Sequence, residues 1–186
     1  LTLGPVDTDM RRKLWETGRW MHVLAPVAAG RQVVHIMNVW GHPGAQTNPE
    51  AMRQNEQLLS DVFEVAASMG PVPIAIVGDL NINPASSAVI QTACNTGRWI
   101  DLALSVARAT GVSTDNTCFK NTTSEGTRID AILCTAELAN TATSIAVLGP
   151  ETGLPTHRPV QATFDILKYA EKVYKVCRPR RIPVEE

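Results

Sequence analysis

Three short polar segments, far apart in the chain, each lie at the end of an apolar run: Gly78-Asp79-Leu80-Asn81, Thr127-Arg128-Ile129-Asp130 and Pro155-Thr156-His157-Arg158-Pro159-Val160. Short apolar runs bounded by turn residues are the mark of buried strands. Each segment therefore marks a strand end that delivers polar side chains to the rim of a sheet. A fold that serves all three must bring distant strands to one rim. The side chains so gathered are Asp79, Asn81, Asp130 and His157, a set of two carboxylates, a carboxamide and an imidazole.

The remaining elements alternate in type. Residues 19–25 and 32–39 read as strands, and the Ala28-Ala29-Gly30 stretch between them suggests a hairpin. Asn48-Pro49 opens a helix, with Asn as cap and Pro at the first helical position. Leu59, Val62, Phe63 and Ala66 give that helix one apolar face, and Gly70-Pro71 ends it. Residues 74–77 form a continuous apolar run that fits a strand buried on both faces. Asn83-Pro84 starts a second helix to about residue 93, with Gly97 beyond it. Residues 99–107 look amphipathic, and residues 112–125 form a polar loop with one aromatic, Phe119. Residues 129–134, 144–148 and 160–166 read as three further strands. Strands interleaved with helices predict an α/β architecture.

Composition excludes several classes. Hydrophobic residues make up 44% of the 186 and charged residues 19%, which is ordinary globular usage. The net charge of −1 supplies no global field for nucleic acid, so any such binding rests on local patches. No apolar run approaches the roughly 20 residues that span a bilayer, and no secretory pattern is visible at the N-terminus. Cys94, Cys118, Cys134 and Cys177 show no CxxC pairing, which argues against a disulfide framework or a spaced zinc motif. Reduced thiols in an intracellular protein, nuclear or cytoplasmic, are the expectation. There is no HxxxH cluster for a zinc hydrolase and no GxSxG elbow for a serine hydrolase.

The chemistry that suits the four rim residues is hydrolysis of a phosphate ester with a divalent metal. A phosphodiester repels nucleophiles and has a poor leaving alkoxide; a metal ion neutralises charge and stabilises the leaving oxygen. Magnesium prefers oxygen ligands, so carboxylates should hold it. Asp79 and Asn81 alternate to the same side of a strand end, and Gly78 lets the backbone pass close to a ligand. The same two residues could equally shape the turn and cap the helix at Pro84. Asp130 either pairs with His157 or pairs at the surface with Arg128. His22 and His35, inside strands, read as structural.

In content and order these segments, together with Asn38-Val39-Trp40-Gly41-His42-Pro43, resemble the endonuclease/exonuclease/phosphatase superfamily. The resemblance implies the DNase-I-like fold, a four-layer α/β sandwich of two mixed sheets with helices outside. Residues 1–167 would form the domain, N-terminally incomplete, and residues 168–186 a basic extension or linker. It implies Mg²⁺ as cofactor, with Mn²⁺ as a substitute, held by Asp79 and Asn81. In the family the residue matching Asp79 orients or deprotonates the attacking water, and that matching Asn81 contacts the scissile phosphate. The matching Asp130 fixes the tautomer of the His at 157, which binds the phosphate and stabilises the pentacovalent state. Asn38, Trp40, His42 and Phe119 are the candidate substrate contacts.

The sequence also departs from that pattern. Thr156 stands where the family has Asp before its His, and Trp40 stands where many members carry Tyr or His. An indole can only donate a hydrogen bond. The family's metal-binding Glu and first active-site Asn belong upstream of Trp40. No Gln-Glu pair or equivalent strand precedes Arg19, and Asp7, Asp9 and Glu16 lie in a polar stretch. The chain is thus expected to be a fragment that binds magnesium weakly and turns over poorly. DNA is the favoured partner, with nicking the expected activity and no membrane role. The basic tail resembles the linker that joins the nuclease to a C-terminal reverse transcriptase in LINE-type retroelements, and Phe119 in the Thr117-Cys118-Phe119 loop is an aromatic for stacking on or wedging between bases. Two alternatives remain: a non-catalytic remnant or binding module of the same fold, and a phosphatase acting on a small phosphate ester.

Overall fold

Ile74 and Ile76 are wholly buried on one face of strand β4 (Ile74–Asp79), and Ala75 is buried on the other. Such a run can only be an interior strand, and burying each isoleucine contributes about 2 kcal/mol. The computed structural model describes residues 1–27, 30, 32–121 and 125–170. In it β4 runs parallel to β3 (Gln32–Val39) and antiparallel to β6 (Asp130–Thr135). β3 pairs antiparallel with β2 (Trp20–Val27) as a hairpin, whose turn residues 28 and 29 lie outside the described residues. β1 (Thr2–Leu3) adds to β2 and β5 (Trp99–Asp101) adds to β6, giving the order β1-β2-β3-β4-β6-β5. β7 (Ala142–Val147) and β8 (Val160–Phe164) form a separate antiparallel pair.

Strand alternation sends successive side chains to opposite faces, and each face of the large sheet meets a different partner. Met37, Val39, Ile74, Ile76 and Leu133 pack under three helices, α1 (Asp9–Glu16), α2 (Pro49–Ser68) and α3 (Ala88–Asn95). Val34, Ala75 and Cys134 on the opposite face meet Ile145, Ala162 and Phe164 of the β7–β8 pair. Two further helices, α4 (Leu102–Thr110) and α5 (Ala136–Ala139), flank β5 and β6, and α6 (Ile166–Ala170) follows β8. The result is the mixed α/β sandwich expected from the sequence. No described helix is long and apolar enough to cross a membrane.

Local chemistry explains where elements begin. The Asn48 side chain accepts the N–H groups of Glu50 and Ala51 at 2.9 and 3.2 Å, capping α2 ahead of Pro49. Asn83-Pro84, however, opens only a 3-10 turn over Pro84–Ser86. α3 starts later, where Ser87 Oγ accepts the N–H of Ile90. Residues 99–107 are a strand and then a helix, because Asp101 caps α4 through the N–H of Leu104 at 3.2 Å. α1 and β1 both lie ahead of Arg19, in the stretch that reads as polar and strandless. α1 holds through its Thr8 cap and buries Leu14, whereas β1 is too short to show alternation.

Arg128 and Asp101 are both about 5% exposed and form a two-pronged pair at 2.7 and 3.1 Å. Arg128 is therefore spent on Asp101, and the surface pairing of Arg128 with Asp130 does not form. Of the basic segment expected over 168–186, Lys168 lies near Asp165 at 3.8 Å. Lys172, Lys175, Arg178, Arg180 and Arg181 lie outside the described residues.

His22 is 2% exposed and its Nε2 sits 3.0 Å from His35 Nδ1, so both histidines are structural. Burial, with smaller contributions from His35 and Arg11, pushes the His22 imidazole from 6.5 down to about 4. The folded state thus holds His22 neutral while the unfolded chain takes up a proton below 6.5. Stability should be complete above pH 6.5 and should fall by about 3 kcal/mol as pH drops through 4. Urea unfolding across that window checks this, and His22→Leu should flatten the slope.

Candidate active site

The register of β4 on β6 places Asp79 directly opposite Asp130. Like charges at facing positions of an antiparallel pair repel, so the fold tolerates this pairing only with compensation. Asp79 Oδ1 accepts the backbone N–H of Asn81 at 3.0 Å, and Oδ2 accepts from Asn81 Nδ2 at 3.2 Å. Asn81 bends back to do this, with φ at +52°, and its Nδ2 also donates to the Gly41 carbonyl at 3.1 Å. On the other side, His157 Nδ1 stands 3.0 and 3.2 Å from the two carboxylate oxygens of Asp130. Burial raises the Asp79 carboxyl above its ordinary value, opposed by the Asn81 N–H, while Asp130 pushes it up further and His157 draws it down.

His157 is positioned by backbone. Arg158 N–H donates to the Thr117 carbonyl at 2.6 Å, and Phe119 N–H to the Thr156 carbonyl at 2.7 Å. Residues 156–158 are thereby strapped to residues 117–119, with Cys118 bridged to His157. Thr117, itself 1% exposed, anchors the other strand: its hydroxyl accepts the N–H groups of Ile129 and Asp130 at 3.1 and 3.0 Å. One short loop thus fixes both members of the Asp130–His157 pair. The Nε2 end of His157 faces Cys118 Sγ at 3.7 Å.

The ends of β3 and β4 are brought together by two glycines. A Cβ on Gly78, at φ +134°, would stand 2.1 Å from the Val39 carbonyl oxygen, and one on Gly41 would stand 2.1 Å from that of Leu80. The close approach that Gly78 permits is therefore to β3 rather than to a ligand. Asn55, wholly buried on α2, completes the junction by accepting from His42 N and donating to the Leu80 carbonyl, both at 2.9 Å.

Asn38, Asp79, Asp130 and His157 line one groove of about 960 Å³, walled by Val34, Ile36 and Val77 and by residues of β8. Asn81 adjoins it through Asp79. Trp40, 51% exposed, instead lies under the Arg19 guanidinium, 4.9 Å from the ring centroid, and does not line the groove. His42 does not line it either; its backbone is held by Asn55. Phe119 packs down on the domain, against Gly126 and beneath Arg158 at 5.4 Å. Sequence reasoning gave the Thr117-Cys118-Phe119 loop a role through Phe119 alone, and it missed Asn55. Asn55 did leave a signal, as an amide at the helical spacing of the α2 apolar face.

No protein-family model and no curated protein matches the sequence. Solved structures do. The 3′–5′ exonuclease NExo from Neisseria meningitidis is similar at a TM-score of 0.60 and 22% identity, over 79% of this chain and 65% of that one. An AP endonuclease from Archaeoglobus fulgidus is similar at 0.61 and 18% identity, over 89% of this chain and 69% of that one. The catalytic domain of Xenopus laevis APE2 gives 0.57 and 18%, over 84% and 58%. The chain has the DNase-I-like fold. It spans 65% of the length of the NExo chain. At these identities the likeness concerns the DNase-I-like fold and not the activity.

The donor set suits a divalent ion. Asp79, Asp130 and His157 each offer one ligand atom, all within 4.8 Å of one another. Burial raises the Asp79 carboxyl and the facing Asp130 adds to the rise, an environment in which a bound cation would favour the charged form. Replacing Asn55 with Leu should strand the His42 N–H and the Leu80 carbonyl. The cost should be about 2–4 kcal/mol in urea unfolding, with the β3–β4 rim loosened.

Proposed function

We propose that the protein is a divalent-metal-dependent phosphodiester hydrolase acting on DNA, with nicking as its activity. The observation that carries this reading is the meeting of Asp79, Asp130 and His157 within 4.8 Å at the mouth of one groove. Asp79 and Asn81 would hold Mg²⁺ or Mn²⁺, Asn81 through the amide oxygen that its Nδ2 contacts leave over. The metal, when bound, neutralises phosphate charge and stabilises the leaving oxygen. Asp130 accepts from His157 Nδ1–H, which fixes the ring so that Nε2 meets a phosphate oxygen as charge develops there. Asp79, beside the metal it would hold, is placed to orient the attacking water. Asn38, on the same groove wall, is the candidate for holding substrate in register.

DNA is favoured because NExo has been solved with a product DNA hairpin and because the other named structures are an AP endonuclease and the APE2 catalytic domain. None of the named structures is described as a retroelement protein, so a LINE-type origin and a reverse-transcriptase fusion gain no support from them. The groove of this chain offers two carboxylates, Asp79 and Asp130, and one of these is committed to His157. Slow turnover by the 186 residues by themselves is the expected outcome.

Plasmid nicking with Mg²⁺ or Mn²⁺ tests the reading on this chain and on a version extended upstream. His157→Ala should lower the rate of the extended form by about 10²–10⁴-fold, and Asp130→Asn should lower it in the same direction. Nicking indifferent to His157→Ala would overturn the proposal. No hydrolysis of DNA but His157-dependent hydrolysis of a small phosphate ester would replace it with the phosphatase reading. Silence on both would leave a non-catalytic module of the same fold.

A further inference from the structure

Arg158 lines the same groove as Asp79, Asp130 and His157, and among the described residues no other Lys or Arg lines it. The guanidinium pairs with neither carboxylate, and no other Asp or Glu of the described residues forms an ion pair with it. A half-buried cation beside two carboxylates stays off them only if something else holds it. Its seat is Phe119, over whose ring the guanidinium lies at 5.4 Å, and one N–H donates to the Leu154 carbonyl at 3.1 Å. Most of the five-donor fork is left open. The seat itself is fixed: Phe119 rests on Gly126, where a Cβ would stand 2.6 Å from the ring, and its N–H is tied to the Thr156 carbonyl at 2.7 Å. Consecutive residues of an extended segment point to opposite sides. His157 accordingly turns to Asp130 and Cys118, and Arg158 to Phe119 and Leu154.

We propose that Arg158 is a phosphate subsite, taking the backbone phosphate next to the scissile one on a nucleic-acid strand. The proposal rests on the hydrolase reading, in which His157 and the metal meet the scissile phosphate. Because the two side chains diverge, they serve different phosphates rather than closing on one. The planar guanidinium fork matches phosphate oxygens in a bidentate way, and stacking on Phe119 holds that fork ready before substrate arrives. The groove then carries carboxylates that attract a metal and, beside them, a cation that attracts an anion. That order of charge fits a metal-bound phosphate followed by a second phosphate. The subsite therefore favours a polynucleotide over a small ester with one phosphate. It positions the strand without reading bases, so cleavage should be indifferent to sequence at this point. It also gives a chain of net charge −1 a local grip on a polyanion that its overall field does not supply.

Salt dependence of binding is the test. Anisotropy of a fluorescein-labelled DNA duplex, titrated with the full 186-residue chain in Ca²⁺ over a series of NaCl concentrations, gives the slope of log affinity against log salt. Arg158→Gln should reduce that slope by about 0.9, the signature of one lost phosphate contact, and should weaken binding about tenfold at low salt. Arg158→Lys keeps the charge and should restore the slope. Arg12→Gln, which removes an exposed charge on α1, should leave the slope unchanged. Phe119→Leu should weaken binding at an unchanged slope, since it removes the seat and not the charge. A slope indifferent to Arg158→Gln, or a wild-type chain that does not bind the duplex, would overturn the subsite and leave Arg158 a strut between Phe119 and Leu154. In the extended protein, Arg158→Gln should raise KM for DNA about tenfold and leave hydrolysis of p-nitrophenyl phosphate unchanged. Equal losses on the two substrates would also overturn it. The expected change of slope without any hydrolysis by the extended protein would keep a DNA-phosphate site and remove the hydrolase reading. His157-dependent nicking with an unchanged slope would keep that reading and remove the subsite.

Discussion

Two carboxylates facing each other across β4 and β6 set the terms for everything at this rim. The antiparallel register leaves Asp79 and Asp130 no alternative to proximity. Each must therefore be compensated by something the rest of the chain brings to it. Asn81 does this for Asp79 by folding back into a left-handed turn, and His157 does it for Asp130 from the far end of the sequence. Burial still keeps the Asp79 carboxyl above its ordinary value, with a smaller push from Asp130. Two carboxylates held this close are the electrostatic condition for binding a cation and for gathering a phosphate around it.

That arrangement needs β3 and β4 to end side by side, and three small features secure it. Gly78 and Gly41 remove the β-carbons that would collide with the Val39 and Leu80 carbonyls. Asn55 then reaches from the interior of α2 to tie both strand ends with one amide. Packing on the helical side and geometry on the polar rim are thus the same problem, solved by one buried side chain. Thr117 plays a similar part on the opposite strand, with a single hydroxyl accepting two successive backbone N–H groups.

Much of this was legible in the sequence where periodicity and local chemistry act alone. The run at residues 74–77, the Asn48 cap and the strand Gln32–Val39 all stand as read, and the structure pairs Asp130 with His157. Legibility failed where long-range contacts decide. Trp40 and Phe119 look like substrate contacts in a motif, but Arg19 and Arg158 each stack on one of them, and neither ring lines the groove. Nothing around Cys118 announces a partner 39 residues away. The helix Asp9–Glu16 was hidden by its polarity, since burial of Leu14 and a threonine cap are enough to hold it against α2.

The ion pair of Arg128 with Asp101 has a consequence for how this domain could change. Losing either partner leaves a charge in the interior with nothing to neutralise it, which costs about 3–5 kcal/mol, whereas a well-packed apolar pair in their place would be nearly neutral. No single substitution leads from one arrangement to the other without passing through that loss. Arg128 also sits two residues before Asp130, in the segment that leads into the strand presenting it. Mutational drift in this segment is therefore blocked by a valley of instability, and the approach to the site is held in place by thermodynamics whether or not the site itself is under selection.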